Sequence, residues 1–459
     1  MFRRRWSGLP AEPKFNPDLK ELGYFINEED EVRYWQDPDF YFKYFSTKNV
    51  RYNDCQRFAF NEAVKQIIDS RLEAEGLKKV LLPLGVASED ERHAKIRLSE
   101  DLSTKSRVVI IFGQSGQDFG ILAHRVASGL GGLNKGSMVS MVKALKQQKS
   151  SATDDAAPGI ILANPGNLWW WPEGKKGLSE FARHQIPGSS LVHWGWHHDP
   201  ERNVIPENAN PTEHVKYIFE KVVPQFVSEK AKIDVIALGD MADEVEQYLD
   251  NDDVWAKIGH RLNALVVLGG FYDMREAECQ GFKKFMDQRG RAYIMNQDPL
   301  DTLIAGPEGG SRAVTGYVGY GCPTYSVGPD AFVMELVLIE AGSAVLKWLQ
   351  EVALDKDYVN ERVHIFFPEE EEDDSKWPGW DKDDDESKEE TEELKEKHKK
   401  DGDKRDDDEQ VAKKVKVRVQ RDVQPPSKDE PEGIDDELAK EISKSEMMAD
   451  GNADSEEET

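Results

Sequence analysis

The feature that most constrains the fold is a set of short, continuously apolar runs, spaced far enough apart to hold helices between them. Such runs are typical of strands that crossover helices bury on both faces of a parallel sheet. They fall at residues 79–85, 107–113, 159–165, 233–239, 264–270 and 291–297. The pattern therefore predicts an α/β fold with a mostly parallel sheet and helices on both faces.

The segments between these runs support the same fold. Residues 53–75 repeat apolar side chains near helical spacing, and residues 211–226 open with a proline preceded by an asparagine, a typical helix N-terminus. Residues 331–349 are apolar but interrupted by Glu and Lys, which predicts a buried amphipathic helix rather than a membrane span. Residues 23–45 hold nine aromatic side chains. This segment is predicted to be either a hairpin that packs on the edge of the sheet or a platform that binds a ligand.

Charge divides the chain into two parts. The formal net charge is −28, and residues 369–459 alone carry 36 acidic and 17 basic side chains, a net charge of −19. A segment so charged and so poor in large apolar residues buries too little surface to offset the entropy of ordering it. We therefore predict an N-terminal extension over residues 1–14, one folded domain over residues 15–368 and a disordered acidic tail over residues 369–459.

Composition also excludes several classes of protein. Broad binding to nucleic acid needs an excess of cationic side chains, which this acidic chain lacks. The three cysteines are scattered and odd in number, so a disulfide framework is not expected. Three arginines stand near the start without an apolar segment after them, so no secretory signal is expected. We expect a protein of the nucleus or cytoplasm, or both, with no membrane partner and not secreted.

Residues 107–120 match the first half of an α/β-hydrolase site. A predicted strand runs into a glycine-bearing loop that contains Gly113, Gln114, Ser115 and Gly116. In α/β-hydrolases the loop at this place directs backbone N–H groups at a developing oxyanion. The loop is therefore a candidate remnant of an oxyanion-binding site.

The second half of such a site is incomplete. A later strand should end in a sharp turn that exposes a nucleophile, but residues 233–238 run into Gly239 and Asp240 without Ser, Cys or Thr. Asp240 stays open as an unorthodox carboxylate nucleophile. A triad also needs a histidine in the loop before the last helix, and residues 324–332 contain none.

Several segments occur together in an order and spacing typical of one family. They are residues 22–28, 52–68, 108–116, 136–145, 159–165, 207–215, 298–302 and 321–324. Through them, over roughly residues 15–353, the chain resembles the fungal Argonaute-binding domain family. That family is defined by the second Argonaute-binding protein of the fission-yeast Argonaute siRNA chaperone complex. Its domain also occurs at the end of some class II histone deacetylases and in an animal cotranscriptional regulator.

The resemblance implies a hydrolase-like fold without a catalytic pair. Some relatives carry Ser where this chain has Gly239, and His where it has Ala331 or Phe332. It thus implies a non-catalytic adaptor or scaffold in siRNA-linked heterochromatin silencing, associated with an Argonaute-type or histone-modifying protein complex. Two alternatives stay open. One is a weak, esterase-like hydrolase that uses Asp240 or Ser115, and the other is a binder of basic proteins such as histones through the acidic tail.

Two clusters are candidate partner contacts. They comprise Trp169, Trp170, Trp171, His193, His197 and His198. Three consecutive indoles are not expected to face inward together, and Trp is frequent at binding hot spots, although internal packing is the alternative. The histidines form one short cluster with no distant second ligand pair, so no metal site is predicted. No cofactor is expected.

Overall fold

A computed structural model describes residues 11–187, 197–307 and 319–361 of the chain. Within them, thirteen strands and eleven α-helices alternate along the chain. The strands are β1 (Tyr24–Ile26), β2 (Val32–Tyr34), β3 (Leu77–Leu82), β4 (Ala94–Ser99), β5 (Arg107–Phe112), β6 (Gly159–Ala163), β7 (Trp169–Trp171), β8 (Lys176–Leu178), β9 (Lys232–Leu238), β10 (Leu262–Leu268), β11 (Gly290–Ile294), β12 (Leu303–Ala305) and β13 (Thr324–Ser326). The helices are α1 (Val50–Ala74), α2 (His124–Ala127), α3 (Gly132–Lys135), α4 (Met138–Leu145), α5 (Pro200–Asn203), α6 (Pro211–Tyr217), α7 (Val223–Phe226), α8 (Asp240–Leu249), α9 (Asp252–Ile258), α10 (Gln280–Arg289) and α11 (Val337–Leu354).

One large sheet organises the described residues. Its nine strands lie in the order β12-β13-β11-β10-β9-β5-β6-β4-β3. Neighbours from β6 to β13 are parallel, whereas β4 runs antiparallel to both β3 and β6. Counted from β3, this is the 1-2-4-3-5 order of the α/β-hydrolase fold, with its antiparallel second strand. The predicted α/β fold with a mostly parallel sheet is confirmed.

Each face of the sheet carries its own hydrophobic core because successive side chains of a strand point to opposite sides. On β5, Val109 and Ile111 join the core formed with α1, α4 and α11. Val108, Ile110 and Phe112 join the other core, which includes α8 and α10. Burial on both faces explains why the strands are apolar throughout rather than alternating.

The six apolar runs correspond to β3, β5, β6, β9, β10 and β11. The sequence pattern missed β4, because its Arg97 breaks the apolar pattern. In the structure Arg97 is 2% exposed, and its guanidinium forms an ion pair with Asp69 at 2.9 Å. The strand tolerates this buried charge because the charge is paired. The predicted helix over residues 211–226 is present as α6 and α7, joined by a π-helical turn.

The aromatic segment forms the antiparallel pair β1 and β2. Tyr24 is buried, and its ring lies 4.9 Å from that of Phe60 on α1, so part of the segment is core. Trp35, Phe40 and Phe45 are exposed. Cys55, Cys279 and Cys322 carry free thiols in the structure.

Across the described residues, no helix has both the length and the apolar character required to cross a bilayer.

Candidate functional site

The turn after β9 has the geometry of a nucleophile elbow. The strand ends at Leu238, helix α8 begins at Asp240, and Gly239 alone joins them with φ +58° and ψ −127°. Residues with side chains rarely adopt this conformation, which in α/β-hydrolases is the strained position that presents the nucleophile. Gly239 therefore occupies the place of the nucleophile and supplies no side chain.

The space that a nucleophile would fill is taken by other side chains. A Cβ atom built on Gly239 would stand 3.0 Å from Nε2 of Gln114 and 3.3 Å from Cγ of Met334. Met334 also covers Gly269 at the end of β10, where a built Cβ would lie 2.2 Å from the methionine Cε. Gln114 and Met334 thus close the elbow from two sides.

The glycine loop after β5 faces the elbow. The backbone N–H of Ser115 donates a hydrogen bond to Oδ1 of Asp240 over 3.3 Å. In a hydrolase, N–H groups of this loop bind the oxyanion of the tetrahedral intermediate. Here one of them binds a carboxylate, and the cavity beneath the loop measures only about 10 Å³, room for about one water.

The loop between β13 and α11, where a triad would carry its base, turns toward the same edge of the sheet. Ala331 is buried, and Phe332 is 68% exposed with its ring 5.6 Å from the guanidinium carbon of Arg125. That arginine also forms an ion pair with Glu335, the residue after Met334. These contacts secure the segment that carries the methionine over Gly239.

A buried polar cluster anchors the far end of the glycine loop. Asp118 accepts hydrogen bonds from the Ser179 hydroxyl at 2.9 Å and from Nδ2 of Asn167 at 3.1 Å. Lys65 lies 3.5 Å away and His124 3.2 Å away. Burial by itself would raise the pKa of Asp118, but the Lys65 ammonium and these hydrogen bonds outweigh it and hold the pKa well below its usual range.

His214 joins two of the sequence segments that carry the family resemblance, a link that the sequence did not reveal. Its Nε2 accepts the backbone N–H of Asn164 at 3.0 Å, and its Nδ1 bonds Oδ1 of Asn208 at 2.7 Å. Burial lowers the pKa of His214 to about 3, so the ring is neutral at physiological pH. The hydrogen bonds of His214 therefore connect residues 159–165 to residues 207–215 in the folded chain.

The three tryptophan candidates form β7. Trp169 and Trp170 are 7% and 3% exposed, as the internal-packing alternative predicts, whereas Trp171 is half-buried. Strand β7 lies between two apolar clusters. Trp170 points into the main core, whereas Trp169 and Trp171 pack in a small cluster with Leu178.

The histidine candidates are only partly described. His197 and His198 are exposed, and Nδ1 of His198 accepts the indole N–H of Trp169 at 3.0 Å. His193 lies outside the described residues. In the ranges that the structure covers, no group of three or more His, Cys, Asp or Glu side chains is placed to hold a metal ion.

The fold and the elbow define the structural class of the protein, which is built on an α/β-hydrolase-like sheet. The family follows from comparison with known sequences. The model of the Arb2 domain matches residues 15–300, and the chain belongs to the Arb2 domain family. It is also similar to the cotranscriptional regulator ARB2A of Mus musculus, with 22% identity over 374 residues, covering 74% of this chain and 82% of that protein.

Similarity to solved structures is remote. Esterase LipW from Mycobacterium marinum is 11% identical with a TM-score of 0.25, over 50% of this chain and 55% of the esterase. A truncated carbohydrate esterase from gut microbiota is 10% identical with a TM-score of 0.25, over 56% of this chain and 90% of that one.

Proposed function

We propose that this protein is a non-catalytic adaptor that uses a hydrolase-like scaffold for binding. The observation that carries the proposal is the occupied elbow, where Gln114 and Met334 fill the space beside Gly239. The carboxylate of Asp240 beside the glycine loop adds to it, because a fixed negative charge there opposes a developing oxyanion. In this proposal Gly113, Gln114, Ser115, Gly116, Gly239 and Asp240 form a vestigial site.

The adaptor acts, in our proposal, within a regulatory protein complex in the nucleus. Membership of the Arb2 domain family and similarity to a protein named as a cotranscriptional regulator support this role. The finer version of the proposal names an Argonaute-type or histone-modifying complex in siRNA-linked heterochromatin silencing. Its test is a pull-down of the tagged full chain from its own cells, followed by mass spectrometry. Recovery of neither an Argonaute nor a histone-modifying enzyme above an untagged control would contradict the finer version.

Restoring the missing hydroxyl is expected not to restore hydrolysis. Gly239→Ser should leave turnover of a short-chain p-nitrophenyl ester at the rate of buffer, because the new Cβ meets Gln114 and Met334 and the loop between β13 and α11 contains no histidine. A second variant, Gly239→Ser with Met334→Ala, relieves part of this crowding and should also be inactive for lack of a base.

The hydrolase alternative makes the opposite prediction for the unmodified chain. If Asp240 or Ser115 is a nucleophile, purified protein turns over the ester, and Asp240→Asn or Ser115→Ala abolishes that turnover. Asp253→Asn, which removes a carboxylate at the start of α9, is the matched control. Activity lost only in the first two variants would overturn the adaptor proposal.

The acidic tail remains a separate hypothesis, because residues 369–459 lie outside the described residues. If the tail binds basic proteins such as histones, removing it abolishes histone capture, and capture by the full chain weakens steeply as salt rises. Equal capture with and without the tail would assign the interaction to the domain over residues 15–368, whose limits remain a prediction.

A further inference from the structure

A cavity of about 340 Å³ lies at the edge of the sheet opposite the elbow. Arg107, Lys232 and Leu262, the first residues of β5, β9 and β10, line it together with the end of α11. Its size falls in the range of small-molecule sites. The glycine loop and the elbow lie at the other ends of the same strands, so the cavity is separate from the site described above.

The lining of the cavity is cationic. It includes Arg107, Lys232, Arg289 and Lys356, and none of the described residues that line it is acidic. This contrasts with the chain as a whole, whose formal net charge is −28. A concave surface lined by one sign of charge concentrates ions of the other sign.

Not all four cations are equally free to bind a ligand. Arg107 is 1% exposed and is neutralised by Asp234, at 2.6 Å. Lys232 donates one hydrogen bond, to the carbonyl of His260 at 2.9 Å, and is in no ion pair among the described residues. Arg289 donates hydrogen bonds to the carbonyl and side-chain oxygens of Asn263 at 3.1 and 2.9 Å and to the carbonyl of Lys356 at 2.9 Å, which fix its guanidinium without neutralising it.

Three negative features oppose these charges. The carboxylate of Asp154 accepts a hydrogen bond from the hydroxyl of Ser106, which lines the cavity. Lys356 faces Asp357 at 3.8 Å, but both side chains are more than four-fifths exposed, so solvent screens the pair. The last turn of α11 contributes carbonyl groups equivalent to about half a negative charge. The carbonyl of Leu349, in the preceding turn of α11, accepts a hydrogen bond from Arg107. The cavity stays net positive.

A buried hydroxyl without a partner gives the second indication of a ligand. Ser150 lines the cavity and is 5% exposed, and its Oγ has no hydrogen-bond partner in the structure. A buried donor left unpaired costs free energy that a bound acceptor would recover. An anion in the cavity is an acceptor of this kind.

From the cavity, its cations and this hydroxyl, we propose that the protein binds a small phosphate-bearing molecule at the amino ends of β5, β9 and β10. Lys232, Arg289 and Lys356 bind the phosphate oxygens, and Ser150 donates a hydrogen bond to them. Ammonium and guanidinium groups together with a hydroxyl are common donors to phosphate. The site is independent of the adaptor role and offers a means by which a small molecule regulates the domain.

The test is isothermal titration of the full chain with inorganic pyrophosphate at about 0.15 M salt. We expect one site with a dissociation constant below about 1 mM. Lys232→Gln with Lys356→Gln should weaken binding by about tenfold or more. The control, Lys257→Gln with Lys284→Gln, removes two exposed lysines outside the cavity and should bind as the unmodified chain does.

Ser150→Ala separates a binding role from a structural one. Because the hydroxyl has no protein partner, the substitution should leave the melting temperature unchanged or raise it, while binding weakens by about tenfold. Equal loss of affinity in the control double variant would show a diffuse effect of net charge and overturn the proposal. Unaltered affinity in Ser150→Ala, or no binding by the unmodified chain, would also overturn it.

Discussion

Replacing Asp234 by Asn is expected to lower the free energy of unfolding by about 3–5 kcal/mol. Asp234 lies on β9 and is fully buried, as is Arg107 on the neighbouring strand β5. The guanidinium and carboxylate are 2.6 Å apart, and Asn263 on β10 donates a second hydrogen bond to Asp234 at 2.8 Å. The variant leaves the arginine charge buried without its counter-charge, near the amino ends of two neighbouring strands.

Urea denaturation of the full chain and of the variant measures this loss. Asp155→Asn is the control, because it breaks an ion pair of similar length, 2.6 Å to Lys149, between side chains that are 55% and 81% exposed. An exposed pair contributes little, so the control should unfold almost as the unmodified chain does. Equal losses in the two variants would mean that the buried pair has no special role in stability.

Replacing Glu246 by Met is expected to stabilise the protein by about 1–3 kcal/mol at about pH 8. The side chain lies on α8, fully buried, and neither carboxyl oxygen has a hydrogen-bond partner. The titratable group that acts on it is Asp243, and the charge of Glu246 in turn raises the pKa of Tyr272, Tyr320 and Cys322. Burial raises the pKa of Glu246 well above 4.5, and the charge of Asp243 raises it further.

The pH dependence follows from the direction of that shift. Above pH 4.5 the unfolded chain ionises at this residue while the folded protein keeps its proton. The folded state then binds more protons, so stability falls as pH rises until the folded-state pKa is passed. Met has a similar volume and no charge, so the gain over the unmodified chain should grow from about pH 4 to about pH 8.

Chemical denaturation at several pH values checks this prediction. Glu351→Met changes an exposed residue on α11 and should show no such pH-dependent gain. A gain for Glu246→Met that is constant with pH would mean that the carboxyl is equally ionised in the folded and unfolded chain.

Much of the fold followed from local patterns. Strands buried on both faces must be apolar throughout, so β5, β6, β9 and β10 were visible as runs of Val, Ile and Leu. Strand β13 was not visible in the sequence, because its three residues are too few to form a pattern. The sequence left the burial of Trp169 and Trp170 open, because predicting a strand that is covered on both sides requires knowledge of what lies against it.

The candidate site also has features that the sequence determines and features that only the tertiary structure determines. Residue identity at a position is a property of the chain alone, so the sequence by itself determined that the elbow carries Gly239 and that the loop after β13 contains no histidine. Only the tertiary structure decided that Gln114 and Met334 fill the elbow and that cationic residues line a cavity at the opposite edge. These residues are far apart in sequence, and their contacts arise from the order and packing of the strands, which no local pattern encodes.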